Sequence, residues 1–566
     1  MVDRDPVGWK QAGWRQTSLA AIPILVGFLL FSSTGRDDSH ITYWAAHMLS
    51  TSGEVANYNG DRVEQSSSLT HVALLAALDR ILPVQLPTLG AIVSILCGGL
   101  TVILTQRLAT LLCPRISVLA GLVTAFSSSL IYWSFGGLET SLAASLGIGA
   151  LLACVQCLSV DRHRHDVARL AVILFLYLLV RPESIAVIAS VLTGAALLVW
   201  CRSRWSTHGH DPQCRATARG LLGLLIVVVS LFACIVLFRL SYFGSAFPQP
   251  VSAKSAGLTA TALREGAAYL VRQVWTWHAL LLWLVAGGGS ALVIYRAMTA
   301  QRLSVPEILV ALYTIAYVAF IVLAGGDWME GGRFVVPVLP MLVIMGLLFV
   351  QHVMPPVLVG AGVVLLCLQG AGTISLARDG STGMPLWTAL SHESGLPADV
   401  SWFDRSNNVH SAYLRFLPTV DAAIRETLAT RVDPVTFMGC QMGTTPYYLS
   451  LAHFGRIRFI DTCALVTKEF TECPVTSWLA RNAFGLRLSL EFFFQYRREL
   501  RDRCQIGEPD VILEFNRTWT RADGRSVSAI EFLESHGYTA IRPPSGRTGI
   551  EAVIFVAVRN SPDPLK

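Results

Sequence analysis

Residues able to do chemistry gather in short polar stretches between long apolar runs. The densest stretch is Thr34-Gly-Arg-Asp-Asp-Ser-His-Ile-Thr-Tyr-Trp44. Asp37 and Asp38 are neighbours, so their charges repel and one pKa rises. Such a pair serves as a general base or as ligands for a divalent cation. It serves equally well as the acidic first turn of a helix. A second stretch, Gly53 to Ser68, holds Arg62 and Glu64 beside the turn signal Asn59-Gly60-Asp61. Glu139 follows Gly136-Gly137-Leu138, Arg181 opens Arg-Pro-Glu183, and Asp327 and Arg333 sit among the glycines of residues 325–334. Lys254 is a further cation, after Tyr242-Phe-Gly-Ser-Ala-Phe-Pro248.

Together these groups fit one kind of reaction. Arg181, Lys254 and Arg333 can hold the phosphate of a lipid carrier, while an Asp37 or Asp38 carboxylate deprotonates an acceptor hydroxyl as a sugar leaves. Arg62, Glu64, Glu139 and Asp327 would then orient donor or acceptor. Tyr43, with Trp44, Trp275, Trp277 and Trp328, offers ring faces to sugars. Each residue also has a structural reading: turn, helix cap, snorkelling cation or interfacial aromatic belt.

The elements that must position these residues are mostly membrane spans. Of 566 residues, 53% are hydrophobic and only 14% are charged; the mean hydropathy is +0.52. An ordinary soluble protein is about 25% charged. This composition excludes a disordered chain, a soluble multidomain enzyme and a nucleic-acid binder. Apolar runs of about 20 residues cross a bilayer as helices. About eleven are expected, near residues 17–33, 88–106, 116–133, 139–158, 168–181, 184–201, 220–240, 275–295, 305–324, 334–350 and 356–373. Segment 69–83 is shorter and contains Asp79 and Arg80, so it reads as an amphipathic surface helix. Residues 34–87 then form one long outer loop. With the N-terminus inside, inner loops carry 14 Lys and Arg residues and outer loops 9 up to residue 373, as the positive-inside rule requires.

Beyond residue 373 the composition becomes that of a soluble domain. Strands are expected at residues 434–438, 456–460, 509–514 and 551–557, with helices at 404–430 and 475–504, a small α/β layer domain. Of 12 cysteines, four lie in this part: Cys440, Cys463, Cys473 and Cys504. Outside the cytoplasm they permit two disulfides, with three pairings open. The expected division is a transmembrane catalytic domain over 1–373 and an extracytoplasmic α/β domain over 374–566.

The order Asp37-Asp38-Ser-His-Ile-Thr-Tyr43, then Gly53, Asn59-Gly-Asp-Arg-Val-Glu64 and Ser67, resembles the polyprenyl-phosphate-sugar-dependent GT-C glycosyltransferases. It is most similar to the mycobacterial terminal β-(1→2) arabinofuranosyltransferase group. Gly137-Leu-Glu-Thr140, Arg181-Pro-Glu183 and Gly325-Gly-Asp-Trp328 with Gly332-Arg-Phe334 are similar to patterns of the wider superfamily. The resemblance implies a GT-C fold and an inverting membrane glycosyltransferase of a bacterial cytoplasmic membrane, with its site and C-terminal domain facing outside. A polyprenyl-phosphate-linked sugar, arabinofuranose among the candidates, would be the donor; a cell-envelope glycan, a lipid-linked glycan or an exported protein would be the acceptor. Asp38 takes the place of the catalytic acid, with Asp37 supporting it or sharing a divalent cation; His40 stands where the family carries an aromatic residue. The competing classes are a polytopic transporter or flippase and a non-catalytic envelope assembly protein. A transporter would place ionisable residues near mid-span and show paired repeats. Here the acids lie at the outer ends.

The charge bias and the odd number of spans predict that residues 203–218 face the cytoplasm and residues 374–566 the outside. With native cysteines replaced, cysteines introduced at Ser206 and Ser401 should react with an impermeant thiol reagent from opposite sides of the membrane. Labelling of both from one side would overturn the topology.

Overall fold

A computed structural model describes residues 13–31, 36–158, 164–205, 212–254, 259–276, 278–299, 304–327, 329, 331–378, 411–430, 434–476, 488–520, 525–542 and 554–560. The helices up to residue 378 are α1 (Gly13–Leu30), α2 (Asp37–Thr51), α3 (Leu69–Ile81), α4 (Leu86–Leu112), α5 (Ser117–Ala125), α6 (Ser128–Ser134), α7 (Thr140–Cys157), α8 (Arg164–Val180), α9 (Ser184–Trp205), α10 (Pro212–Phe243), α11 (Gln249–Lys254), α12 (Ala260–Val274), α13 (Leu280–Thr299), α14 (Val305–Leu323), α15 (Leu339–Val353) and α16 (Leu358–Arg378).

The chain forms two compact units. One comprises Met1–Thr34, Ala91–Leu240 and Leu258–Trp387; the other comprises Gly35–Gly90, Ser241–Gly257 and Thr388–Lys566. This differs from the expected division at residue 373. Residues 35–90 and 241–257 join the C-terminal segment because their polar side chains bond to its backbone. Asn59 pairs with Phe459 through both ends of its amide, accepting from the Phe459 N–H at 2.8 Å and donating to its carbonyl at 3.0 Å. Asn57 donates to the Val466 carbonyl at 3.1 Å. Gln249 donates to the carbonyls of Ala464 and Thr467, both at 2.9 Å.

The first unit is a helical bundle. Seven described helices are long and apolar enough to cross a membrane, or eight if Pro114–Ala125 and Ser128–Ser134 form one span bent by 56°. The chain is a multi-pass membrane protein. Other expected spans fall on shorter helices. The third is broken where Ser127 is extended (φ −68°, ψ 123°). The fifth, α8, has 17 residues. The tenth expected span, α15, begins only at Leu339, because residues 331–338 form turns and the run carries Pro337, which donates no backbone hydrogen bond. Small residues let helices approach closely in lipid. On α13, a Cβ at Gly289 would collide with the Met345 carbonyl of α15, and on α12 a Cβ at Gly266 would collide with the Val322 carbonyl of α14.

The second unit carries a mixed sheet built from β1 (Val435–Gly439), β2 (Ile457–Asp461), β3 (Val511–Phe515), β6 (Tyr538–Ile541) and β7 (Ile554–Arg559), in the order β2-β1-β3-β7-β6. A separate hairpin pairs β4 (Thr518–Thr520) with β5 (Ser526–Ser528). β1 runs parallel to β2 and β3, and β7 antiparallel to β3 and β6. Four of these strands lie where alternation and apolar runs predict them; β6 is too short to leave a pattern. Helix α17 (Ser411–Thr430) is followed by α18 (Thr444–His453) between β1 and β2. The helix expected over 475–504 appears as Leu490–Gln495 and Arg497–Cys504, separated at Tyr496; residues 477–487 lie outside the described residues. Disulfides join Cys440 to Cys463 and Cys473 to Cys504, with Cα separations of 5.1 and 5.4 Å. Segment 69–83 forms α3, which buries His71, Val72, Leu75 and Ala76 and exposes Leu74 and Ile81.

Replacing Gly289 with Ala should overpack α13 against α15 and cost about 1–3 kcal/mol. Gly287→Ala, where a Cβ meets nothing within 4 Å, should leave the melting midpoint of the detergent-solubilised protein unchanged or raise it. Equal midpoints for the two variants would refute the close approach.

Candidate active site

In the second unit, the paired acids open α2. Asp37 and Asp38 occupy its first turn, where negative charge is favoured by the helix dipole. Asp37 is buried. Its Oδ1 accepts the backbone N–H of Thr444, the first residue of α18, at 2.7 Å. The Asp37 carboxylate therefore sits at the N-terminal ends of two helices at once. Asp38 is half-buried. Burial pushes the Asp37 pKa up, and the charge of Asp38 pushes it further; the Thr444 N–H and His40 pull it down less.

This arrangement depends on Gly443. A Cβ there would fall on the backbone carbonyl of Asp37, so the start of α18 can approach α2 only with glycine. Tyr58 braces the contact: its hydroxyl lies 3.2 Å from the Gly443 carbonyl and 3.3 Å from the His40 carbonyl. His40 Nδ1 lies 3.1 Å from the Arg36 carbonyl and 3.2 Å from Thr444 Oγ1. A carbonyl only accepts, which assigns the proton to Nδ1. The His40 ring meets Tyr43, Tyr447 and Tyr448 at centroid separations of 5.2, 5.4 and 6.0 Å.

Tyr43 is only 1% exposed and packs edge-on to Tyr447 as well; it braces this wall instead of presenting a ring face. Trp44 is equally buried and stacks on Tyr58. Trp275 is exposed, and Trp277 and Trp328 lie outside the described residues. Arg62 is exposed, paired with Glu54 at 2.6 Å and placed over the Tyr242 ring. It lines a cleft of about 530 Å³ with Arg458, Lys468, Glu469 and Arg503, whose lining does not include Asp37 or Asp38. Glu64 is buried, and its carbonyl accepts from the Gln249 N–H at 2.9 Å. Lys254 ends α11, half-buried.

In the first unit, the other polar stretches form one buried cluster. Arg181 Nη1 pairs with Glu139 at 2.8 Å and Arg181 Nε with Glu183 at 2.9 Å. Tyr317 on α14 donates to the same Glu183 oxygen at 3.2 Å. Arg333 pairs with Asp327 at 2.8 Å, and the Phe334 ring lies within 5.2 Å of the Arg181 guanidinium and 5.3 Å of that of Arg333. Gly325 and Gly326 have φ of 80° and 75°, the left-handed backbone that sets the turn before Asp327. The arginines thus do not snorkel. Each is already paired with a carboxylate, and removing one partner of a buried pair typically costs about 3–5 kcal/mol. Arg181 Nη2 has no hydrogen-bond partner among the described residues.

The expected residues therefore fall into separate groups. Glu139, Arg181, Asp327 and Arg333 come together in the first unit. Asp37, Asp38 and Tyr43 come together in the second, and Arg62 lines a cleft that does not include the acid pair. Sequence reading missed His40, Tyr58, Gly443 and Thr444 as members of the Asp37 setting. The spacing Gly439-x-x-x-Gly443 was the available signal, and it reads as chance in a strand–loop context. Among the described residues no three His, Cys, Asp or Glu side chains come together as a metal group.

No protein-family model matches the chain, and no curated protein matches it. Solved structures do. The archaeal oligosaccharyltransferase AglB from Archaeoglobus fulgidus, solved with an inhibitory peptide and a dolichol-phosphate, is 12% identical; the match covers 92% of this chain and 75% of that one, with a TM-score of 0.50. ArnT from Cupriavidus metallidurans, bound to undecaprenyl phosphate, is 13% identical over 97% of this chain and 98% of that one, with a TM-score of 0.51. The arabinosyltransferase EmbB from Mycobacterium smegmatis matches 62% of this chain and 32% of that one at 14% identity and a TM-score of 0.37, too remote to bear on the sugar. The fold is the GT-C fold, a polytopic helical membrane domain followed by a small C-terminal α/β domain.

Because its native pKa is raised, Asp37 favours the folded state most when protonated. Its contribution is full below the ordinary value of 3.8 and is lost as pH rises through the native pKa. Asp37→Asn keeps an acceptor for Thr444, so its melting midpoint relative to wild type should rise as pH increases across that window. Gly443→Ala should lower the midpoint at every pH. A pH-independent difference for Asp37→Asn would contradict a raised native pKa.

Proposed function

We propose that this chain is an inverting membrane glycosyltransferase that moves a sugar from a polyprenyl monophosphate to a hydroxyl acceptor. The observation that carries the reading is the acid pair at the start of α2: Asp37 is fixed on the Thr444 N–H and Asp38 beside it is half-buried, in a chain with the GT-C fold. The two neighbours named above were solved with dolichol-phosphate and undecaprenyl phosphate, which supports a lipid-phosphate donor here.

In this reading Asp38 takes the proton of the acceptor hydroxyl as the anomeric carbon–oxygen bond to phosphate breaks. The phosphate leaves as an anion and needs little acid assistance, so the base is the larger requirement. Asp37 supports Asp38, or shares a divalent cation with it. Arg181, Lys254 and Arg333 are the phosphate contacts, with Arg181 Nη2 contributing donors not spent on Glu139 or Glu183. Arg62, Glu64, Glu139 and Asp327 orient donor or acceptor. The sugar is arabinofuranose or another sugar delivered on the same carrier. The acceptor is a cell-envelope glycan, a lipid-linked glycan or an exported protein. The enzyme would work at the outer face of a bacterial cytoplasmic membrane, where the two disulfides persist.

General base catalysis contributes about 10²–10⁴-fold. Asp38→Asn should therefore lower turnover by about 10²-fold or more, with donor binding within a few-fold of wild type. The assay is radiolabel transfer from a panel of polyprenyl-phosphate sugars by purified protein in nanodiscs. Full activity of the double Asp37→Asn/Asp38→Asn variant would count against the glycosyltransferase reading itself.

A further inference from the structure

Below the paired acids, α2 borders a second feature of the same unit that the proposed chemistry does not use. A cleft of about 360 Å³ is lined by His47 on α2, Asp79 on α3, Gln85 just before α4, and Tyr447, Tyr448 and Leu451 on α18. That volume lies at the lower end of the roughly 300–1,000 Å³ typical of ligand pockets. We propose that this cleft is a distal glycan subsite, holding a sugar ring of an oligosaccharide acceptor away from the hydroxyl that reacts. The proposal rests on the glycosyltransferase reading above and names the acceptor class as carbohydrate.

The lining selects the ligand. None of the described residues lining the cleft is Lys or Arg, so an anionic lipid headgroup finds no counter-charge among them. A neutral polyhydroxylated ring finds what it needs. Tyr447 and Tyr448, 4% and 8% exposed, close the floor of the cleft, and the polar groups of Asp79, Gln85 and His47 are left to meet a sugar's hydroxyls. Asp79 accepts from the Ser50 hydroxyl at Oδ2. A carboxylate has roughly four lone-pair sites, so acceptor capacity for sugar hydroxyls remains. Gln85 is exposed at the mouth and carries a side-chain amide there. His47 is half-buried, and that burial pushes its pKa down, so at neutral pH it adds a polar ring without a charge.

The position fits an extended acceptor. His47 lies nine residues after Asp38 on one helix, about 14 Å along its axis at 1.5 Å per residue. A single sugar cannot occupy both places, whereas an oligosaccharide can. The two places share a wall, because Tyr447 and Tyr448 also meet the ring of His40, two residues after Asp38. Contacts to a remote part of the substrate then add to the affinity for the whole oligosaccharide equally in ground and transition state, which lowers KM and leaves kcat unchanged.

The test uses the full chain in nanodiscs and two readouts. Saturation-transfer NMR without donor measures binding of free linear arabinofuranosyl and mannosyl hexasaccharides and of the corresponding methyl monoglycosides. Transfer assays then compare the same compounds as acceptors. Asp79→Asn and Gln85→Ala should each weaken binding of the preferred hexasaccharide, and raise its KM, by about tenfold. The value of kcat and the transfer to the monoglycoside should stay within twofold. Gln85 is exposed, so that variant carries the test should Asp79→Asn fold poorly. Hexasaccharide binding unchanged in both variants, or equal losses for hexasaccharide and monoglycoside, overturns the subsite. A wild-type protein that binds none of the sugars but binds a peptide acceptor overturns it too. Hexasaccharide binding that depends on these residues, with no transfer from any donor, would keep the subsite and remove the transferase reading. Transfer with neutral variants would do the reverse.

Discussion

One buried carboxylate sets the terms for the second unit. Asp37 cannot keep its place without a donor, because an unpaired buried carboxylate is among the costliest groups a protein can hold. Its donor is the first N–H of α18, and that N–H comes close enough only because residue 443 has no side chain. The remaining features follow from this contact. Tyr58 fills the space beside the bare Gly443 backbone, His40 reaches Thr444 Oγ1, and the tyrosines of α18 wall off α2. Asn57, Asn59 and Gln249 then fasten the neighbouring segments to strand β2 and the turn after it. β2 is an edge strand, and the Asn59 amide acts as a surrogate peptide along it, which blunts an edge otherwise open to pairing. The turn itself is held by Asp461, buried with its pKa pushed up to about 7, whose carboxylate accepts from Cys463, Leu465 and Val466.

The first unit handles buried charge differently. Three carboxylates, Glu139, Glu183 and Asp327, surround two guanidiniums, with Phe334 beside both. No arginine waits there as a bare positive charge. An anion arriving at such a cluster meets donors already partly satisfied, and it gains only where it reaches protons the acids have left, as at Arg181 Nη2.

Much of this was legible in the sequence, and the division between what was and was not is physical. The apolar runs lead to helices, because a chain in lipid must satisfy its own backbone. The acid pair leads to a helix start, and Asn59-Gly60-Asp61 leads to a turn, with Gly60 at φ 83°. Helix breaks were less visible. Ser127 interrupts a run of good span composition, and the start of α15 is delayed by a proline that hydropathy counts as neutral. Pairings were not legible at all. Glu139, Glu183 and Asp327 stand beside recognisable motifs, yet nothing local says that they neutralise Arg181 and Arg333. Likewise Gly443 lies some four hundred positions from Asp37, and only the folded chain brings the two together.

That separation governs the timing of the protein's biogenesis. A ribosome releases the first hydrophobic helix and α2 early, whereas Gly443 and Thr444 emerge only after the whole helical bundle has been made. Domains generally fold in the order of their synthesis. Until α18 arrives, the N–H that holds Asp37 is missing, and a nascent or truncated chain carries its acid pair without the setting that orders it. The first loop therefore reaches its final order last, although it is among the first segments to be made.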